Sequence, residues 1–280
     1  MIRLLPIALL LASCGGSPER QSQLDLLAPD FDREAVVEIQ LDLPEGSIHL
    51  IKKEKLWVLA EWDHFPADQD FVTFLMDTIT KAPAGSMVSN YPNDPRYELR
   101  ENNRLVTMRD RQGDVLLRLN VGKSTDNFRT VFVEKDDQVW RVSADLYPAL
   151  ARPTWGDRRL WRIPVSQIQT IKATGPDLDF EARQADDVWS LVSPGTLTSH
   201  FQEKLLKALP QLRAGGLKYD PDLARQTALD YQLVLTVAGQ PFIIWFHIRY
   251  GHIEATTGQS SVIYLFPMTF LHDLQNSAAE

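Results

Sequence analysis

The feature that most constrains the fold of this chain is a strand pattern that occurs twice. From Val37 to Leu43 apolar and polar residues alternate, the period of two that is typical of a strand with one buried face. Two further strands, a helix and a series of hairpins follow, and the same order begins again at Ile168. Trp57-Val58-Leu59 in the first series corresponds to Trp189-Ser190-Leu191 in the second. We therefore expect two similar lobes in one chain.

Each series also contains helix signals. Between Ala67 and Lys81, apolar residues recur at helical spacing, namely Phe71, Phe74, Leu75 and Ile79. Asp68 is placed to cap this helix and Pro83 to end it. The second series has a corresponding helical pattern over Ser199–Gln211. A short helical segment that contains Leu146 and Leu150 closes the first series.

These patterns predict an α+β fold with two tandem similar lobes, each a mainly antiparallel meander sheet with one longer and one short helix. The predicted divisions are a signal peptide (1–13), a flexible tether (14–33), a first repeat (34–152), an inter-lobe linker (153–164) and a second repeat (165–280). The tether is assigned because its sequence is rich in polar residues and glycine and poor in apolar ones.

The amino terminus resembles a bacterial export signal that ends in a lipobox, Leu11, Ala12, Ser13 and Cys14. The apolar run from Leu4 to Leu11 is much shorter than the roughly 20 residues of a membrane-spanning helix. Such a cysteine receives acyl chains, so we expect Cys14 to attach the protein to a membrane. A buried free thiol is the alternative interpretation. Gly15, not aspartate, follows the cysteine, which favours the outer membrane over the inner membrane on the periplasmic side of the envelope.

Composition and motifs argue against several functional classes. The formal net charge is −8, and no block of basic residues is present, so nucleic-acid binding is not expected. The six histidines have no metal-ligand spacing, and we predict no metal and no cofactor. Gly122-Lys123-Ser124-Thr125 imitates the end of a phosphate-binding loop, but Leu117 stands where that motif needs glycine. No nucleophile motif is found, and we predict no catalytic residues.

Candidate residues for protein binding lie at two places. The linker brings together Trp155, Arg158, Arg159 and Trp161, residue types that are common in interface hot spots. The alternative is that Trp161 joins the lobes and the arginines pair with local acids. Trp245 lies on a strand that is apolar on both faces, so its ring either packs under another element or forms an exposed patch.

The order of these motifs resembles the DUF4340 family. The resemblance rests on Val121-Gly122-Lys123, on Thr130–Val133, on Val139–Val142 and on Trp155–Leu160 at the joint between the lobes. In the second half, Ile248-Arg249 is taken to stand in the place of Val121-Gly122. The resemblance implies an exported or membrane-anchored envelope protein. Some members of the family are paired with ABC-type transport or gliding components. The family has no assigned catalytic residues that could be transferred to this chain.

We therefore expect a lipid-anchored, non-enzymatic envelope protein that binds another protein of a transport or surface-assembly complex, an ABC-type transporter component among the candidates. A second hypothesis is that a cleft between the lobes binds a small or lipidic ligand. A third is a hydrolase whose active site is assembled from residues distant in sequence.

Overall fold

The computed structural model describes residues 31–101, 104–125, 128–143, 146–152, 154–176, 178–186, 188–192, 212–222 and 230–270. The described residues form two antiparallel sheets, one of nine strands and one of eight. The lipobox residues Leu11, Ala12, Ser13 and Cys14 and the predicted helix Ser199–Gln211 lie outside them.

The first sheet is built from residues of the first half of the chain. Its strands are β1 (Glu38–Leu43), β2 (Gly46–Lys53), β3 (Leu56–Leu59), β4 (Phe65–Pro66), β5 (Ala84–Ser89), β6 (Leu105–Arg109), β7 (Val115–Ser124), β8 (Thr130–Lys135) and β9 (Gln138–Ser143). Their spatial order is β4-β3-β2-β1-β6-β7-β8-β9-β5.

The second sheet is built from the second half. Its strands are β10 (Ile168–Gly175), β11 (Leu178–Ala185), β12 (Val188–Leu191), β13 (Gly216–Tyr219), β14 (Tyr231–Val237), β15 (Gln240–Arg249), β16 (His252–Thr256) and β17 (Val262–Pro267). Their order is β12-β11-β10-β14-β15-β16-β17-β13, which repeats the order of the first sheet from β3 to β5. The two-lobe expectation agrees with these two sheets of matching topology.

Strand register aligns the two lobes residue by residue. In the first sheet Leu105, Asn120 and Glu134 lie in one row across β6, β7 and β8. Gln232, Trp245 and Thr256 form the same row in the second. Since β7 and β15 both have ten residues, the positions of Val121-Gly122 are occupied in the second lobe by Phe246-His247. The alignment to Ile248-Arg249 was therefore wrong by two residues.

The main helix of the first lobe, α1 (Gln69–Lys81), begins where the sequence predicts. The side chain of Asp68 caps it by accepting a hydrogen bond from the backbone N–H of Phe71. Its buried face consists of Val72, Leu75, Met76 and Ile79. Phe74, assigned to the buried face from its spacing, is 46% exposed. A short helix, α2 (Leu146–Leu150), packs beside α1.

Three edge strands, β4, β5 and β13, have no counterpart among the strands that we predict from the sequence. β5 pairs with β9 and β13 pairs with β17, so each adds one strand to the same end of its sheet. The hydrophobic core continues from one sheet to the other and includes Trp155, Leu160 and Trp161 of the linker. Burial of linker side chains in this shared core joins the lobes by apolar packing.

Candidate functional site

The linker between the lobes is bonded to the first lobe through its backbone. Gly156 forms an isolated β-bridge with Ala67. The N–H of Asp157 donates to the carbonyl of Pro66 at 2.9 Å, and the N–H of Asp68 donates to the carbonyl of Trp155 at 2.9 Å. The linker therefore continues the edge of the first sheet beyond β4.

The following linker residues are bonded in the same way to the second lobe. The N–H of Ala214 donates to the carbonyl of Arg158 at 2.8 Å, and the N–H of Leu160 donates to the carbonyl of Leu212 at 3.3 Å. Arg159 forms a β-bridge with Arg213. Because one short stretch of chain pairs with both lobes, it fixes their arrangement instead of acting as a free hinge.

Trp155 and Trp161, predicted as candidate interaction residues, lie in the interior. Trp155 is 2% exposed and Trp161 is 5% exposed. The ring of Trp155 packs edge-on against Phe71 of α1, with 4.8 Å between ring centroids. Neither indole N–H has a hydrogen-bond acceptor among the described residues. Both rings lie in the hydrophobic core that the two sheets share, as the alternative interpretation expects of Trp161, and neither forms an exposed contact surface.

The linker arginines are engaged with a buried aspartate. Asp157 is 3% exposed and accepts hydrogen bonds from Arg159 Nε at 3.0 Å and Nη2 at 2.7 Å, and from Arg162 Nε at 2.9 Å. Burial raises the pKa of the Asp157 carboxyl, but the hydrogen bonds from Arg159 and the positive charges of both arginines lower the pKa further, so that it lies below its usual value. Arg158 contributes its carbonyl group to the junction and has a partly buried side chain.

A second ion pair lies at the start of α1. Arg152 Nη1 lies 3.2 Å from Asp68 Oδ2, and its guanidinium lies 3.6 Å from the centroid of the Phe71 ring. Asp68 therefore caps the helix and also holds the chain that leads into the linker. Stacking on Phe71 orients the guanidinium of Arg152 for this contact.

Aromatic side chains complete the contact between the lobes. Trp62 of the first lobe stacks on Tyr219 of β13 with 5.9 Å between ring centroids, and Tyr219 Oη donates to Asp63 Oδ2 at 2.9 Å. Phe65 of β4 meets Tyr264 of β17 at 6.1 Å. These contacts join β4, and the segment before it, to β13 and β17 of the second sheet. The junction is therefore a continuous interface.

Trp245, the other candidate interaction residue, is half-buried. Its ring lies so close to the turn at Gly258 that a Cβ atom there would be 2.4 Å from Trp245 Cζ3. Gly258 has a φ of +66°, a conformation that also favours glycine. The turn therefore covers part of the ring, and the residue does not form a wholly exposed patch.

The described histidines do not form a metal centre. His247 is 4% exposed and lies opposite Glu254, while His252 lies opposite Arg249 in the hairpin of β15 and β16. Burial and the nearby charge of Arg249 lower the pKa of His247 below its usual value. Within the described ranges, no group of three or more side chains is arranged to hold a metal ion.

An apolar groove lies between the two helices of the first lobe. It has a volume of about 470 Å³ and is lined by side chains of α1, α2 and the segment that joins α1 to β5, including Phe74, Thr78, Pro83 and Leu146. Asp77 and Lys81 also line the groove, where they form an ion pair with each other at 3.1 Å. The groove was not predicted from the sequence, because the helical spacing of Phe74 assigned this residue to the buried face of α1.

Together these features define a two-lobed antiparallel protein with a fixed junction and with a partly apolar groove on its first lobe. A family model described as a domain of unknown function, DUF4340, matches residues 57–231, from β3 through the linker to the start of β14. The chain belongs to this family. No curated protein and no solved structure matches it. Among the described residues, no helix is long and apolar enough to cross a membrane.

Proposed function

We propose that this protein is a lipid-anchored accessory of the bacterial cell envelope, which binds another envelope protein through the α1–α2 groove and catalyses no reaction itself. The groove is the observation that carries the proposal. Phe74 lines the groove while remaining 46% exposed, and four of the other eight lining residues, Ala82, Pro83, Leu146 and Pro148, are apolar. An exposed aromatic residue beside a concave apolar surface is typical of a protein-binding site.

The proposed partner supplies an extended segment that carries an apolar side chain. This shape is favoured because β5 is the edge strand of the first sheet and begins at Ala84, directly after the groove residue Pro83. An edge strand offers backbone N–H and C=O groups to an incoming strand, and a neighbouring pocket selects its side chains. Met87 of β5 is also an exposed apolar residue, at 47%.

The fixed junction supports the same proposal. Because the linker pairs with both lobes and Asp157 holds two arginines, the lobes present their surfaces in one arrangement. A partner therefore meets a preorganised surface, which lowers the entropy cost of binding. The partner that we propose is a component of a transport or surface-assembly complex, such as one built around an ABC-type transporter.

Site-specific crosslinking tests the groove. A photoreactive phenylalanine analogue is placed at Phe74 in the full-length protein, which is then irradiated in its own cells, and adducts are identified by mass spectrometry. We expect one dominant adduct with an envelope protein, in which the crosslinked peptide is apolar and lies in an extended segment. Phe74→Glu should abolish co-purification of that protein, because a carboxylate would have to be desolvated in the apolar groove.

Tyr250 provides the matched control, since it is a fully exposed aromatic residue on the β15–β16 turn of the other lobe. The analogue at Tyr250 should give no adduct with the same protein, and Tyr250→Glu should leave co-purification intact. Equal crosslinking from both positions, or retention of the partner by the Phe74→Glu protein, would show that the groove is not the binding site.

The lipid anchor is tested separately at Cys14. Wild-type protein should incorporate an alkyne-labelled fatty acid and remain with membranes after a high-salt wash, because two or three acyl chains hold a protein durably. Cys14→Ser should lose the label and the membrane association. A Cys14→Ser protein that is processed to the same size and stays with membranes would refute the anchor. Density-gradient separation of the membranes then tests the outer-membrane location that Gly15 favours.

A further inference from the structure

The linker that leads into the second lobe has a counterpart in the segment that leads into the first. Ile39 of β1 and Ile171 of β10 occupy the same row of their sheets, and both are fully buried. Counting back equally from these two residues gives two further pairs whose members all pack in or against the hydrophobic core, namely Val36 with Ile168 and Phe31 with Ile163. The chain before Phe31 therefore stands to the first lobe as the linker stands to the second.

The linker shows how such a segment can pair with the lobe that follows it. It runs beside residues 212–214, which lead into the edge strand β13. The N–H of Ala214 donates to the carbonyl of Arg158, and the N–H of Leu160 donates to the carbonyl of Leu212. Leu160 is 2% exposed, so this pairing covers the sheet edge and also buries an apolar side chain.

The first lobe has the same receiving edge. Ala84-Gly85 at the start of β5 corresponds to Ala214-Gly215 immediately before β13. A Cβ atom on either glycine would meet a backbone carbonyl oxygen, that of Arg141 for Gly85 and that of Leu265 for Gly215. Strand register places Arg141 and Leu265 at the same position of β9 and β17. Residues 82–84 are therefore the first-lobe counterpart of residues 212–214.

The receiving edge of the first lobe is also a wall of the α1–α2 groove. Ala82 and Pro83 both line the groove, and β5, which follows them, is the outermost strand of its sheet. Pro83 has no N–H to donate. Its counterpart Arg213 needs none, because the two bonds of its bridge to the linker are made by the residues on either side of it. Proline at this position is therefore compatible with a paired strand.

The segment before Phe31 is within reach of this edge. Residues 24–28, Leu-Asp-Leu-Leu-Ala, belong to the predicted tether and lie outside the described residues. Arg33 donates to Asp77, a lining residue of the groove, at 2.5 Å, and this contact holds the chain beside α1. The five residues that separate residue 28 from Arg33 span about 17 Å when extended, which is most of the length of α1 at about 1.5 Å per residue.

We propose that residues 24–28 occupy the α1–α2 groove of their own chain and that a binding partner has to displace them. By the pattern of the linker, the N–H of Ala28 donates to the carbonyl of Ala82, and the N–H of Ala84 donates to the carbonyl of Leu26. The leucine side chains cover apolar surface of the groove. The pairing stands on the comparison of the lobes alone, whereas the displacement rests on the function proposed above. The apparent affinity for the partner then falls in proportion to the fraction of molecules whose groove is free.

Disulfide trapping in the full chain tests the pairing. Leu27 and Pro83 take the places of Arg159 and Arg213, which form the β-bridge, and residues directly opposite each other have Cα atoms about 4.5–5.5 Å apart, a distance that a disulfide can join. In protein that carries Cys14→Ser, Leu27→Cys with Pro83→Cys should therefore form an intramolecular disulfide under mild oxidation. Leu27→Cys with Val188→Cys is the matched control, because Val188 is 62% exposed on β12 of the other lobe. Equal yields from the two pairs would overturn the proposal.

Hydrogen exchange gives a second readout without a substitution in the groove. The N–H of Ala84 should exchange slowly in the wild type, because it is bonded to residue 26. Ala28→Pro removes the donor at residue 28, so exchange at Ala84 should become about fivefold faster, the effect of losing one hydrogen bond. Ala28→Leu keeps that donor and introduces the side chain that the linker has at Leu160, so exchange at Ala84 should stay slow. Equal exchange at Ala84 in the wild type and in the Ala28→Pro protein would contradict the pairing.

The photoreactive analogue at Phe74 separates this inference from the proposed function. In the purified protein without a partner, it should crosslink within the chain to residues 24–28. In cells, Ala28→Pro should raise the yield of the partner adduct about fivefold. An internal crosslink with no partner adduct from either form would refute the proposed function while supporting the pairing. A partner adduct whose yield is unchanged by Ala28→Pro would refute the displacement, and absence of the internal crosslink would refute the pairing.

Discussion

Replacing Asp157 with asparagine tests whether the junction between the lobes depends on a buried negative charge. The side chain of Asp157 is 4% exposed, and its carboxylate accepts hydrogen bonds from the backbone N–H and the guanidinium of Arg159 and from the guanidinium of Arg162. Asparagine has nearly the same shape, but it replaces one accepting oxygen with an NH₂ group. That group would face guanidinium N–H donors, so the substitution removes attraction and adds repulsion.

The expected destabilisation follows from the burial of the three partners. Removing one member of a fully buried ion pair costs about 3–5 kcal/mol. Here the arginine side chains are 37% and 40% exposed, so water partly replaces the lost contacts. We therefore expect Asp157→Asn to lower the free energy of unfolding by about 2 kcal/mol, which is about 4–8 °C in melting temperature for a domain of this size.

Urea denaturation measures this change, and Asp94→Asn is the matched control. Asp94 and Arg96 repeat the local geometry of Asp157 and Arg159, with the backbone N–H of Arg96 at 2.9 Å and its Nη2 at 2.6 Å from the carboxylate. Arg96 is 79% exposed, however, and exposed ion pairs contribute little to stability. The control should therefore lower stability much less than Asp157→Asn.

The pH dependence gives an independent readout. Because the folded pKa of Asp157 lies below the ordinary carboxyl value of 3.8, its contribution is complete above that value and is lost as the pH falls through the folded pKa. The Asp157→Asn protein should therefore lose less stability than the wild type on acidification below about pH 4. Equal destabilisation by the two asparagine variants, or identical acid profiles of wild type and Asp157→Asn, would refute the reasoning.

Three further predictions concern stability and are measured by urea denaturation. Gly122→Ala should cost about 2 kcal/mol, because its Cβ would lie 2.1 Å from the carbonyl oxygen of Tyr97, whereas Gly216→Ala meets nothing nearer than 3.5 Å and should be tolerated. Asp68→Ala should cost at least about 1 kcal/mol, because it removes both the cap of α1 and the ion pair with Arg152, and Asp68→Asn should cost less because asparagine keeps the cap. Burial raises the pKa of Tyr264 to about 12 from its usual 10.0, so the wild type should lose stability as the pH rises from 10 towards 12, and Tyr264→Phe should remove that loss.

The strands that the sequence predicted share strong alternation or a clear hairpin turn. β1, β7 and β14 alternate apolar and polar residues, and their pairing follows from the turns between them. β5 was missed because its sequence, Ala-Gly-Ser-Met-Val-Ser, has little alternation and pairs irregularly with β9. β5 is placed in the sheet by its pairing with β9, which lies much later in the chain, and a local sequence pattern carries no information about such a pairing.

The candidate site was harder to predict than the fold because residue type does not determine exposure. The tryptophans and arginines of the linker have the composition of a hot spot, yet Trp155 is buried against Phe71 and Arg159 is held by Asp157. Helical spacing placed Phe71 and Phe74 on one face, but the exposure of a residue at the border of an apolar stripe depends on which element packs there. Asn120 can be recognised in the sequence as a polar residue in an apolar strand. Its place beside Glu134, however, follows only from the pairing of β7 with β8.

Comparison of the two lobes separates what the fold requires from what it tolerates. Trp57 and Trp189 occupy the same position in β3 and β12, and both are buried, so this residue serves the packing of each sheet. Asn120 and Trp245 also occupy equivalent positions but differ in size, polarity and hydrogen bonding. A duplicated fold keeps its packing residues in both copies, whereas a binding residue need persist only in the copy that uses it. Asn120 and Trp245 therefore mark a position at which the two copies have diverged without any change in strand order.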